Sequence, residues 1–405
     1  LRSLIRAGAR AATLGSALVG CLTLAVGPAG AADHRAAWAT RSTPNPAGAQ
    51  LSVLSAASCA APAACTAVGR FTNAAGAGAP LAERWDGSGW TLQPAPAPRG
   101  ASAAFLFAVS CPSRRACIAV GSVTTDSGAT VPLAERWRPG GWTLQPVPLA
   151  GLGNRAVTYL GAVSCPEVTA CTAVGYAGNA AGTSGSAVVE RFNGARWTVQ
   201  PTPPLTGSPA AFLSGVSCPS PADCVAVGQR TDQRGAAVAL AERWDGTRWS
   251  LAPPAEPEGA AAVQLTGVSC PSHVSCIASG WFANVTGIEI MLAERWDGTH
   301  WSLQRTLYPD GARNVELLGV SCASPASCAA VGFFENARGA QAPLAEYWDG
   351  RAWTIQRTPD RRSATADTLS GVSCPAVGRC VAAGSLTYAS GLGVTGALQL
   401  SGGRG

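Results

Sequence analysis

The carboxylates divide into a set that recurs and a set that does not. Glu83, Glu135, Glu190, Glu242, Glu294 and Glu346 each sit in a stretch of the LAERW type, with Gln399 read as the seventh member. Six acids in a ring could hold a cation. Each, however, is followed by Arg84, Arg136, Arg191, Arg243, Arg295 or Tyr347, and a repeated acid beside a repeated base predicts ion pairs and hydrogen bonds between neighbouring copies. A buried acid needs some such partner, because an unpaired one is expensive. Glycosidase chemistry would fall instead to unique residues such as Glu256, Glu258, Glu289, Glu316 and Glu335, and nothing in the sequence fixes the separation that such a pair requires. His273 and His300 sit in turns, outside any motif that activates a nucleophile. Calcium loops and phosphate-cradling glycine motifs are absent.

Cysteine is the most regular reactive residue. Cys59 and Cys65, Cys111 and Cys117, Cys165 and Cys171, Cys218 and Cys224, Cys270 and Cys276, Cys322 and Cys328, and Cys374 and Cys380 form pairs, six apart every time. Zinc would need further ligands for each pair, and the chain offers only His34, His273 and His300. Two strands joined by a five-residue turn bring each pair into cross-strand register, so in an exported protein they predict seven hairpin disulfides. No metal site and no cofactor is expected.

Those pairs mark seven copies of one unit. The fourth reads Leu213 to Cys218, a turn, Cys224 to Gly228, Leu240 to Gly246, then Trp249 to Pro253, which is four short β-strands. The predicted fold is therefore all-β: a seven-bladed β-propeller of four-stranded blades, one disulfide in each. Small residues in the first two strands suit the crowded axis, and the tryptophans of the last two fill the wedge between diverging blades. Asp245-Gly246 before Trp249 is a tight-turn signal. Blade seven stops where its tryptophan strand should begin, whereas Trp38 to Pro44 (WATRSTP) matches that strand. The N-terminal strand is expected to complete the last blade.

Before Trp38, a basic start (Arg2, Arg6, Arg10), an apolar stretch from Ala11 to Val26 and the small residues Ala29-Gly30-Ala31 predict a signal peptide over 1–32, a linker over 33–37 and the propeller over 38–405. Leu18-Val19-Gly20-Cys21 also fits a lipobox, so the alternative to secretion is a lipid anchor through Cys21. All 29 basic residues are arginine; removing three with the leader leaves 26 against 23 acids, about +3. That surplus argues against nucleic acid. No segment after the leader is apolar enough to be expected to span a bilayer.

The combined pattern VSCPS…CxAVG…LAERWDGxxW resembles that of secreted actinobacterial repeat proteins, over essentially all of 38–405. The resemblance implies a seven-bladed propeller and export, and no activity. Asp-Gly-x-x-Trp is also similar to the Asp-box turn of sialidase-like propellers, one residue shorter.

Binding surfaces need not repeat, so variation among copies points to the site. The loops between second and third strands and those crossing between blades share one face, and they read as long and irregular. Just before them lie Trp281-Phe282 and Phe333-Phe334, with Glu289 and Arg338 nearby. These six residues form the candidate ligand-binding quadrant; the alternative is that the aromatics pack between blades. The reading is a monomeric extracellular or cell-surface binding or scaffold module for a carbohydrate, cell-wall component or peptide. A carbohydrate-active propeller enzyme on the same face, and a purely structural envelope protein, are the alternatives.

Overall fold

The computed structural model describes residues 37–148, 156–359, 361 and 363–401. The signal-peptide and Cys21 expectations lie outside them. The described residues form 28 β-strands and no helix. Blade one is typical: Leu51–Ala61, Ala64–Thr72, Gly78–Trp85 and Trp90–Gln93 run antiparallel in sequence order. Alternation explains the strand pattern, since Leu81, Glu83 and Trp85 face one side and Ala82 and Arg84 the other.

Closure follows the sequence reading. Trp38–Arg41 pairs antiparallel with Gly393–Ser401, Trp38 opposite Leu400 and Arg41 opposite Ala397. The first strands touch one another in turn around the axis, that of blade seven (Ala364–Ala376) meeting that of blade one. The chain is a seven-bladed β-propeller.

A belt of hydrogen bonds runs around this inner ring. The serine before each first cysteine accepts the backbone N–H of the corresponding cysteine in the next blade: Cys111 to Ser58, Cys165 to Ser110, Cys218 to Ser164, Cys270 to Ser217, Cys322 to Ser269, Cys374 to Ser321 and Cys59 to Ser373, all at 2.9–3.0 Å. Serine therefore recurs as a seam residue.

All seven expected hairpin disulfides form. Cys59 is bonded to Cys65, Cys111 to Cys117, Cys165 to Cys171, Cys218 to Cys224, Cys270 to Cys276, Cys322 to Cys328, and Cys374 to Cys380. In each blade the second cysteine (Cys65, Cys117, Cys171, Cys224, Cys276, Cys328 or Cys380) is buried, which shields the bond on the second-strand side. The hairpin is tighter than expected, because pairing continues beyond the cysteines. In blade four Ser220 pairs with Asp223 across a two-residue turn, after a register shift. The loops between second and third strands also differ from expectation. Thr72 pairs with Gly78, Thr231 with Ala237 and Glu335 with Gln341, leaving five-residue turns. Asn73, Asp232, Asn284 and Asn336 stabilise them by accepting two backbone N–H bonds each through Oδ1.

The glycine of each AVG-type segment has a sharper role than small size near the axis. A register shift in the first strand, between Leu213 and Gly215 in blade four, turns a carbonyl onto the second strand. A Cβ on Gly228 would sit 2.0 Å from the Phe212 oxygen, and the other six glycines meet equivalent carbonyls at 1.9–2.0 Å. Farther out, tryptophan pairs such as Trp85–Trp90, with ring centroids 5.8 Å apart, fill the wedge.

Candidate functional site

The recurring glutamates are buried, each fully shielded from solvent, and they do not pair with the adjacent arginines. Neighbouring residues of a strand point to opposite faces, so Glu83 and Arg84 cannot meet. Three of the arginines reach the next blade instead: Arg84 lies 3.5 Å from the Trp137 ring centroid, Arg191 4.6 Å from that of Trp244, and Arg136 5.5 Å from that of Phe192, whereas Arg243 pairs with Asp223 of its own blade.

The glutamates face the segment that crosses from the preceding blade, and the sixth residue after that blade's tryptophan decides their state. After Trp249 that residue is Ala255, whose N–H donates to Glu294 Oε2 at 2.8 Å; after Trp301 it is Leu307, whose N–H donates to Glu346 Oε1 at 3.1 Å. At the other junctions it is Pro44, Pro96, Pro148 or Pro203, which has no N–H to give. Glu135, Glu190 and Glu242 have no hydrogen-bond partner on either carboxyl oxygen. Burial pushes their carboxyls up to about 8. Burial does the same at Glu83, where the Thr395 hydroxyl opposes the shift only in part. With a donor, Glu294 and Glu346 rise only to about 7. Protonated acids spread through separate seams are a structural set and cannot serve as one cation site.

Blade seven completes the series with a correction. Cys380 pairs with Leu400 as Cys65 pairs with Trp85, so Leu398 occupies the glutamate position and Gln399 the arginine position. Leu398 is buried, and Gln399 Oε1 accepts from Arg41 Nε at 2.7 Å.

Unique residues gather on the first strands. At the level of the turned carbonyl the seven first strands carry Val53, Phe105, Tyr159, Phe212, Gln264, Glu316 and Thr368. Aromatic residues therefore line blades two to four. Tyr176 stacks on Phe212 with centroids 4.2 Å apart, Tyr159 tilts against Tyr176 at 6.0 Å, and Phe107 meets Tyr159 edge-on at 6.1 Å. Two glycines make this possible: a Cβ on Gly178 or Gly185 would strike the Tyr176 side chain at 2.0 or 2.4 Å. Tyr176 is buried and donates to the Ser184 carbonyl at 2.9 Å. Phe107 and Tyr159 of the cluster line a cavity of about 330 Å³, bounded otherwise by Ser122, Gly161, Leu213 and Ser214. Sequence reading missed this group because Phe107, Tyr159 and Phe212 lie on the first strands of three successive blades and Tyr176 on a second strand, and no adjacent pair announces them.

The expected quadrant is divided. Phe282 packs on the core between blades four and five, and Phe334 on that between five and six. Trp281 and Phe333 are half-buried, opposite Gln264 and Glu316 respectively. Glu289 lies beside Glu316, whose carboxyl is pushed up to about 7 by burial and then by Glu289. Arg338 stands exposed on the turn after Glu335, at a different cavity. Near the acid pair, Asn314 adopts a left-handed φ of 44° and donates to Glu335 at 2.8 Å.

No family model and no curated protein matches the chain. Among solved structures, a protein of unknown function from Dyadobacter fermentans superposes with a TM-score of 0.52 at 10% identity, covering 89% of this chain and 97% of that one. The SapL1 lectin, solved with alpha methyl fucoside, gives 0.42 at 12% identity, covering 77% and 98%. The Trypanosoma rangeli sialidase gives 0.45 at 10% identity, covering 86% of this chain and 53% of its own. At such identities the likeness is one of fold.

Proposed function

We propose that the protein is an exported binding module that takes a carbohydrate at the cavity shared by blades two to four. The observation that carries this reading is the cavity between three blades that Phe107 and Tyr159 line, with Tyr176 and Phe212 stacked behind Tyr159. Aromatic faces beside hydroxyl and backbone groups suit the apolar face and hydroxyl rim of a sugar ring. Seven disulfides support export, as does the resemblance to secreted repeat proteins. No described helix is long and apolar enough to cross a membrane. The test is retention on a glycan array and on insoluble peptidoglycan. Phe107→Ala should fold normally and weaken retention by about tenfold, equivalent to about 1.4 kcal/mol; full retention by that variant overturns the assignment.

The Glu289–Glu316 pair favours a second reading, carbohydrate-active catalysis, because burial, and then the neighbouring Glu289, raises the unique carboxyl of Glu316 to about 7. Under it, Glu316→Gln abolishes glycan cleavage while leaving glycan retention intact. Absence of cleavage by the wild-type protein across plant and bacterial polysaccharides would dismiss it.

A further inference from the structure

The seam between blades six and seven is built unlike the others. Its third strand carries Gly396 where the remaining blades have Leu81, Leu133, Val188, Leu240, Leu292 or Leu344. A Cβ there would lie 3.0 Å from Nη1 of Arg361, so the missing side chain admits a guanidinium. Arg361 donates from Nε and Nη2 to the two carboxylate oxygens of Asp367, each at 2.7 Å. Asp367 is 3% exposed. Its position is filled by Ser52, Ala104, Thr158, Ala211, Val263 or Val315 in the other blades. A buried ion pair in place of small or apolar side chains adds little net stability, which separates this pair from the purely structural repeats.

The pair forms the floor of a cavity of about 300 Å³ whose other polar walls are Asn336, Arg338, Gln341 and Thr365. Glu335 Oε1 lies beside the rim, 3.7 Å from where a Cβ on Gly339 would sit, and its other oxygen accepts from Asn314; Arg361 and Asp367 neutralise each other, and Arg338 has no ion pair among the described residues, so its guanidinium is the unpaired charge of the lining. Its turn is held by Asn336 Oδ1, which accepts the Arg338 and Ala340 N–H groups at 2.9 and 3.2 Å. An unpaired guanidinium at the rim recognises a planar carboxylate. Gln341 can exchange hydrogen bonds with hydroxyls, and Thr365, whose own O–H donates to the Thr387 carbonyl at 3.0 Å, can accept one.

We propose that this cavity is a second site, for a monosaccharide-sized sugar acid whose carboxylate sits on Arg338 and whose hydroxyls meet Gln341 and Thr365. It stands independently of the reading of the cavity in blades two to four. Calorimetric titration with D-glucuronate, D-glucose and acetate tests it. Glucuronate should bind more tightly than either, more weakly in added salt, and at least about tenfold more weakly in Arg338→Ala. Arg338→Lys should recover only part of the loss, while Phe107→Ala leaves glucuronate binding unchanged. Failure of glucuronate to bind the wild-type protein, equal binding of acetate or glucose, or undiminished affinity in Arg338→Ala overturns the proposal. Arg338 lies on an exposed turn, so its variants retain the fold.

Discussion

Replacing Glu242 by glutamine should change how stability depends on pH. The carboxyl is fully buried, neither oxygen has a partner, and Pro203 stands where a donor would be needed. Burial alone raises it from 4.5 to about 8. In that interval the folded chain holds a proton that the unfolded chain releases, so stability falls as pH rises and levels off above pH 8. The slope is about 1.4 kcal/mol per pH unit for one group. Local opening that lets water reach the carboxylate keeps the accumulated loss below the ceiling of roughly 5 kcal/mol set by that slope. Glutamine keeps the shape and removes the titration. Denaturant unfolding at pH 5, 7 and 9 with disulfides intact should show Glu242→Gln gaining on the wild type as pH increases. The same substitution at Glu346, which has the Leu307 N–H, should gain less. Identical pH slopes for the wild type and Glu242→Gln would show that the carboxylate reaches solvent or a partner, and would refute the reasoning.

Ser217→Ala leaves the Cys270 N–H without its acceptor and should cost about 1–3 kcal/mol, read by urea unfolding, whereas Ser88→Ala in an exposed turn should cost under about 0.5 kcal/mol. Deleting Trp38–Arg41 uncovers the paired edge of Gly393–Ser401 and empties the site of a 4%-exposed tryptophan; thermal unfolding should shift down sharply and light scattering should reveal association through the bare edge.

The blade count, the disulfides and the ring closure were all legible, because each depends on spacing along the chain and on a strand missing at one end and present at the other. The partners of repeated side chains were not. Glu83 beside Arg84 reads as a pair until strand alternation sends them apart, and the donor for Glu294 lies in the crossing segment 39 residues away. The alignment of blade seven failed for a related reason: glutamine resembles glutamate, but the backbone register puts Leu398 at that place. Trp281-Phe282 stood out as neighbours, yet adjacent strand residues face opposite ways, and Phe282 belongs to the core. The aromatic wall escaped notice because Tyr159 and Phe212 are brought together only by the packing of one blade on the next.

The serine belt has a direction: every blade donates one N–H to the serine of the blade before it and accepts one at its own serine from the blade after it, with no first or last member. A linear array frays from its ends and needs specialised end units. A circular chain of identical links has no such starting point, so weakening any link loads two seams at once, and melting should proceed as one event rather than blade by blade.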